Sequence, residues 1–229
     1  MTTLRSGLLF CTTTLALVTS ASPLLAQRCL GIAMPRRAYV GAEIRHAGIA
    51  DGRQIQVYGG RLAYRFEAGK GVGLTVSLTG AGGAMRGDST AVQLTGLVAA
   101  SRTLSGFDNR LSACVAAGYE INAVDAPSHG ASNDGNDYGF ASAPVTVGLG
   151  YDVRAGAWTI TPFAAPSIAR YAFDSTQFAG GAVQRGWDGY LTLGASAAAG
   201  RWSVGASSRY GDRATKPRGR LTLRAGVSF

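Results

Sequence analysis

The sequence predicts an all-β fold: a transmembrane antiparallel up-and-down β-barrel of ten strands. Three observations predict it. From Ala38 onward, apolar and polar residues alternate in run after run, the period of a strand with two unlike faces. Charged residues are 15% of the 229, well under the roughly 25% of soluble domains. Yet the body of the chain holds no run of about 18 apolar residues, so no helix is long enough to cross a bilayer. Finally, the connections between runs alternate short and long, as in barrels with turns on one rim and loops on the other.

The first segment, Met1 to Ala26, reads as a cleaved secretory signal. Arg5 supplies the positive start, Leu8 to Val18 the apolar centre, and Ser22 to Ala26 the small-residue end. The apolar run is too short to anchor the chain as a helix. Removing the signal takes away Arg5 alone, so a net charge of +9 becomes 21 − 13 = +8. The remaining Lys and Arg are scattered, without a basic helix or an aromatic RNA-binding motif, which argues against nucleic acid as a partner. Cys11 leaves with the signal. Cys29 and Cys114 stay, and an exported compartment permits them to pair or to remain two thiols. Arg28 stands where lipid attachment to Cys29 would need a small residue. A segment from 27 to 37 then leads into a barrel domain over 38–229.

Ten runs follow: β1 over 38–46, β2 over 54–66, β3 over 71–81, β4 over 90–102 and β5 over 111–124. Then come β6 over 139–153, β7 over 157–172, β8 over 187–199, β9 over 201–210 and β10 over 219–229. In β3, Val72, Leu74, Val76 and Leu78 face one way and Gly73, Thr75, Ser77 and Thr79 the other. The short connections are Glu67–Lys70, Thr103–Arg110, Arg154–Gly156 and Gly200–Arg201. The longer ones are Ala47–Arg53, Gly82–Ser89, Asp125–Tyr138, Phe173–Gly186 and Gly211–Arg218. Five of one and four of the other give ten strands with both termini on one rim.

Aromatics gather at the strand ends. Tyr64, Phe66, Tyr151, Trp158, Trp202 and Phe229 fall at the short-turn end, and Tyr138, Phe140, Tyr171, Phe173, Trp187 and Tyr210 at the loop end, as two membrane interfaces select. One segment resists. Pro162 and Pro166 lack the N–H that a closed ladder uses, and the apolar phase of β7 switches between Trp158/Ile160 and Tyr171/Phe173. A β-bulge between the two prolines is expected. If β7 or β8 is misassigned, the barrel has eight strands.

The last run, with Leu221, Leu223, Ala225, Val227 and Phe229 on one face, resembles the C-terminal strand of bacterial outer-membrane β-barrel proteins. The resemblance extends to the aromatic rings and the loop asymmetry, and covers 38–229. It implies a Gram-negative outer membrane, surrounding lipid, periplasmic termini and recognition of the last strand by the barrel-assembly machinery.

The inward face collects Glu43, Arg45, Arg61, Arg65, Glu120, Asp152, Asp188, Arg201, Arg209, Arg220 and Arg224. Seven Arg against four carboxylates is read as an internal salt-bridge network filling the barrel, because about eight strands enclose room only for side chains or one small ligand. A narrow anion-preferring channel is the alternative. A Cys29–Cys114 disulfide would pin residues 27–37 against or into the periplasmic mouth, as a plug. The expected role is therefore structural or surface-binding, through five outer loops.

Enzyme readings rest on His46 and His129. His129-Gly130-Ala131-Ser132-Asn133 resembles the His-x-Ser-Asn pattern of lipid A deacylases with one residue too many. Asn133 to Asp137 lacks the Glu that closes a calcium loop. No catalytic residue, cofactor or metal is assigned.

Overall fold

A computed structural model describes residues 28–48, 54–68, 72–84, 90–125, 138–175, 184–211 and 220–229. The signal segment, His129 and Asn133–Asp137 lie outside them.

Ten antiparallel staves form one closed barrel. They are β1 (Ala38–Gly48), β2 (Gln54–Glu67), β3 (Val72–Ala84), β4 (Thr90–Leu104) and β5 (Leu111–Asp125). Next is β6 (Tyr138–Tyr151), which resumes after Asp152 as Val153–Ala155 in the same register against its neighbour. The rest are β7 (Trp158–Ser175), β8 (Gln184–Ala199), β9 (Trp202–Tyr210) and β10 (Arg220–Ser228). Each pairs with its neighbours in sequence, and β1 closes on β10 from Tyr39↔Ser228 to Ala47↔Arg220. Phe229 lies just past β10, but its N–H donates to Ala38 O at 2.8 Å and its carbonyl accepts from Ala38 N at 3.2 Å. Closure leaves no strand edge, so the ladders satisfy the backbone without water. At the short-turn rim, Gly156 and Gly200 have φ of +61° and +57°. Each opens a two-residue hairpin, Ala155↔Trp158 and Ala199↔Trp202, where glycine supplies the positive φ that matches strand twist.

The two faces invert the order of a water-soluble protein. Leu62, Val76, Leu78, Val98, Val147, Leu193, Val204 and Leu223 are exposed on the outside, while Thr75, Thr79, Ser112, Thr161, Ser196 and Ser228 are fully buried inside. An apolar exterior this continuous needs lipid to cover it.

Two expectations are corrected. No bulge interrupts β7: its register with β8 runs unbroken from Thr159↔Ala198 to Phe173↔Gln184. The prolines are accommodated on the β6 side, where pairing stops at Thr146↔Ser167 and resumes at Leu149↔Ala164, leaving Pro166 within the gap. Pro144 stands in a similar gap between Ala117↔Val145 and Glu120↔Ser142. The phase therefore does not switch, and Tyr171 points inward. There it stacks on Phe140 with centroids 6.2 Å apart. Among the described residues, the outward aromatics at the loop end are Tyr58, Trp187 and Tyr210, all exposed. At the short-turn end, Tyr64, Phe66, Tyr151, Trp158, Trp202 and Phe229 are exposed as the alternation predicts.

Register also sets depth. Leu74 stands beside Phe66 at the short-turn ring, whereas Leu78 stands beside Leu62 in the middle of the sheet. Leu78→Arg should cost about 2–4 kcal/mol, and Leu74→Arg no more than about 0–1 kcal/mol, because the cost of a lipid-facing Arg falls off toward the interface. Denaturant unfolding of both variants in vesicles checks this; equal costs would contradict the depth assignment.

Candidate functional site

The lumen holds two constructions, a plug at the short-turn end and an arginine network beyond it. The plug begins with a 3₁₀ turn, Arg28–Leu30, lying against β5, β6 and β7. Cys29 is bonded to Cys114 of β5, with Cα atoms 6.2 Å apart, inside the span a disulfide accepts. The seat for this turn is made by absent side chains. A Cβ at Gly148 would press on Cys29 O and lie 2.7 Å from Cys114 Sγ, and one at Gly150 would lie 3.1 Å from Cys29 Cα. Arg28 is ion-paired with Asp152, whose other oxygen accepts from Thr161 Oγ1 at 2.6 Å. Gly31, with φ of +75° and its N–H on Arg28 O at 3.0 Å, then turns the chain across the lumen. Ile32 and Met34 bury themselves with Tyr39 of β1 and Ala63 of β2. The segment thus runs from the β5–β7 wall to the β1–β2 wall and is held at both. Tyr39 lies over Gly41 and Gly226, where a Cβ would strike its ring.

On the loop side of the plug, two buried carboxylates organise five arginines. Glu43 of β1 is ringed by Arg45 two residues on, Arg61 of β2 at 3.2 Å and Arg224 of β10 at 3.6 Å. Register explains the grouping, since Glu43 stands directly opposite Arg224 and beside Gly59, two positions from Arg61. Glu120 of β5 accepts from Arg220 Nη1 at 2.8 Å, lies 3.4 Å from Arg209 Nη1, and also accepts from Gln93 Nε2 at 2.5 Å. β5 and β10 are opposite staves: five steps separate them through β4, β3, β2 and β1, and five through β6, β7, β8 and β9. The Glu120–Arg220 pair therefore crosses the full lumen. Arg209 is held further by the ring of Tyr190, 4.3 Å from its centroid, a cation–π contact.

The other inward charges fall elsewhere. Asp152 serves the plug. Arg65 and Asp188 point inward and are buried. Arg201, expected inside, is exposed in the turn between β8 and β9, because the two-residue hairpin ends the alternation there. His46 sits in β1, between the network residue Arg45 and the loop rim. Ile32, Met34, Gly148, Gly150, Gln93 and Tyr190 complete the site and are absent from the sequence reading. The apolar run Ile32-Ala33-Met34, beginning three residues after Cys29, was the available signal, as were glycines at the inward positions of β6. Between plug and network lies a cavity of about 120 Å³.

Neither a family model nor a curated protein sequence matches the chain. Solved structures similar to it are outer-membrane barrels. The translocator domain of the autotransporter NalP from Neisseria meningitidis is 13% identical, with 97% of this chain and 94% of that one covered and a TM-score of 0.49. The β domain of the Bordetella autotransporter BrkA is 16% identical over 84% and 99%, with a TM-score of 0.44. LpxR from Salmonella typhimurium is 9% identical over 83% and 100%, with a TM-score of 0.40. These are likenesses of shape. The closed ten-stranded barrel, its apolar exterior, its aromatic rings and its charged interior are what make the fold an outer-membrane β-barrel.

Two outcomes follow. Glu120→Ala leaves Arg209 and Arg220 facing each other in the lumen and should cost about 3–5 kcal/mol, as loss of one partner of a buried pair does. Reduction of Cys29–Cys114, which are 85 residues apart, should cost about 2–4 kcal/mol. Denaturant unfolding with and without a reductant measures both.

Proposed function

We propose that the chain is an integral outer-membrane protein whose barrel is shut to solute flow. Its work would then lie in its outer loops and in the scaffold that carries them. The observation that carries this reading is the double obstruction: a plug fastened to opposite walls, and beyond it a carboxylate of one wall engaged with arginines of the other. Either alone would narrow the lumen of a ten-stranded barrel, which is close to the size that side chains fill. In this reading the loop rim faces outward and the termini face the periplasm. Lipid covers the aliphatic belt, and the Leu221, Leu223, Ala225, Val227 and Phe229 face of the last strand meets the barrel-assembly machinery. The inward arginines favour the anion-channel reading by charge, but their pairing with Glu43 and Glu120 favours a filled lumen.

Single-channel recording in a planar bilayer tests this. The oxidised barrel should give no steady conductance. Reduction should leave it silent, because Arg28–Asp152 and the burial of Ile32 and Met34 still hold the plug. A steady anion-selective current from the oxidised protein would overturn the reading, and current appearing only after reduction would make the disulfide the sole latch.

A further inference from the structure

The cavity between plug and network is walled unequally. Arg45, Arg61, Arg209, Arg220 and Arg224 come from the contiguous staves β9, β10, β1 and β2. The facing wall, from β4 to β8, offers Leu97, Ala116, Pro144, Phe163 and Ala165 interspersed with the hydroxyls of Thr95, Thr146, Ser167 and Thr192, and the plug contributes Leu30 and Ile32 as a floor. Cations stand on one side, and carbon with neutral hydroxyls on the other. Glu43 pairs with Arg45, Arg61 and Arg224, and Glu120 with Arg209 and Arg220.

The hydrogen bonding is unfinished as well. Nε and Nη1 of Arg224 and Nε of Arg61 are buried without a hydrogen bond among the described residues. Arg224 Nε still lies 3.6 Å from Glu43 Oε2, whereas Nη1 has no carboxylate against it among those residues. Arg224 Nη1 reaches the tip of the plug, 3.1 Å from where a Cβ of Gly31 would sit, beside the Phe163 ring. It thus stands where the basic wall meets the apolar floor. Buried donors without acceptors are uncommon and point to a missing partner, and a guanidinium is shaped to take a carboxylate with two parallel bonds.

We propose that this cavity binds a small organic monocarboxylate. Its head would lie on Arg224 and Arg61, and its apolar body on Leu30, Ile32, Leu97 and Phe163. Size limits the ligand. A cavity of about 120 Å³ is somewhat smaller than the roughly 150 Å³ that accommodates benzene in an engineered core. The ligand is therefore a short alkyl carboxylate of at most about six non-hydrogen atoms, the size of butanoate. The plug makes the site, since without its floor the lumen would be open to the short-turn rim. The site binds whether or not the loops have partners, so its failure leaves the shut-barrel reading standing, and a conducting barrel could still bind.

Isothermal titration of the refolded, oxidised barrel with butanoate, butanol and inorganic phosphate tests the proposal. Butanoate should bind at least tenfold more tightly than either butanol or phosphate. Arg224→Gln should weaken butanoate tenfold or more. Leu97→Gln, which leaves the charge network intact, should weaken butanoate severalfold without changing phosphate. That variant keeps the test alive if Arg224→Gln fails to fold. Absence of butanoate binding to the wild type overturns the proposal. Equal binding of phosphate and butanoate overturns the proposal by leaving a simple anion site. Unchanged affinity in a folded Arg224→Gln places the ligand elsewhere and overturns it too.

Discussion

One pairing governs the interior: Glu120 with Arg220, carried by staves that stand opposite each other. A ten-stranded barrel in lipid has its aliphatic residues outside, so its inside must be filled by something other than a hydrophobic core. Here the filling is ionic. Side chains of Arg and Glu are long enough to meet across the lumen, and each buried charge then needs its opposite. Removing both members for apolar residues of similar volume is often tolerated in such sites, while removing one is not. That asymmetry makes the network a specifier of which wall faces which, and it ties β1, β2, β5, β9 and β10 into one unit. The plug adds a second tie nearer the short-turn rim, covalent at Cys114 and packed at Tyr39 and Ala63.

The two constructions share boundaries. Gly31, at the tip of the plug, lies against both Phe163 and Arg224, so the plug touches the network it sits beneath. The cavity between them is therefore a property of both. Its basic side comes from strands that supply partners for Glu43 and Glu120, and on its other side Phe163 lies against the plug at Gly31. A lumen organised in this way is a poor conduit, yet it is a reasonable pocket for one small anion with a carbon tail.

Much of this was legible in the sequence, and the reason is the period of two. Alternation in β3, β5 and β10 assigned inward and outward faces as the structure has them, Glu120, Arg220 and Arg224 among them, and Glu43, Arg45, Arg61 and Arg209 of β1, β2 and β9, read as inward, also meet in the lumen. It could not say which Arg meets which Glu, because register between strands distant in sequence is not written in either strand. The β7 bulge was inferred from two prolines and from aromatics at Tyr171 and Phe173. Aromatic residues were assumed to face lipid, but Tyr171 stacks on Phe140 inside, and the missing proline hydrogen bonds are absorbed as gaps in one ladder. Arg201 was misplaced because a two-residue hairpin takes it out of the strand. The plug's apolar segment went unremarked, since Leu30, Ile32 and Met34 make too short a run to read as a strand and acquire meaning only once Cys29 is fastened to Cys114.

The most direct test of this account is a double-mutant cycle on Glu120→Ala and Arg220→Ala, measured by denaturant unfolding in lipid vesicles. Residues in contact couple by about 0.5–3 kcal/mol, whereas distant ones add within about 0.3–0.5 kcal/mol. The cross-lumen pair predicts that the double variant loses less stability than the two single losses summed, by at least about 1 kcal/mol. Simple additivity would contradict it, and would mean that the opposite walls of the barrel do not meet.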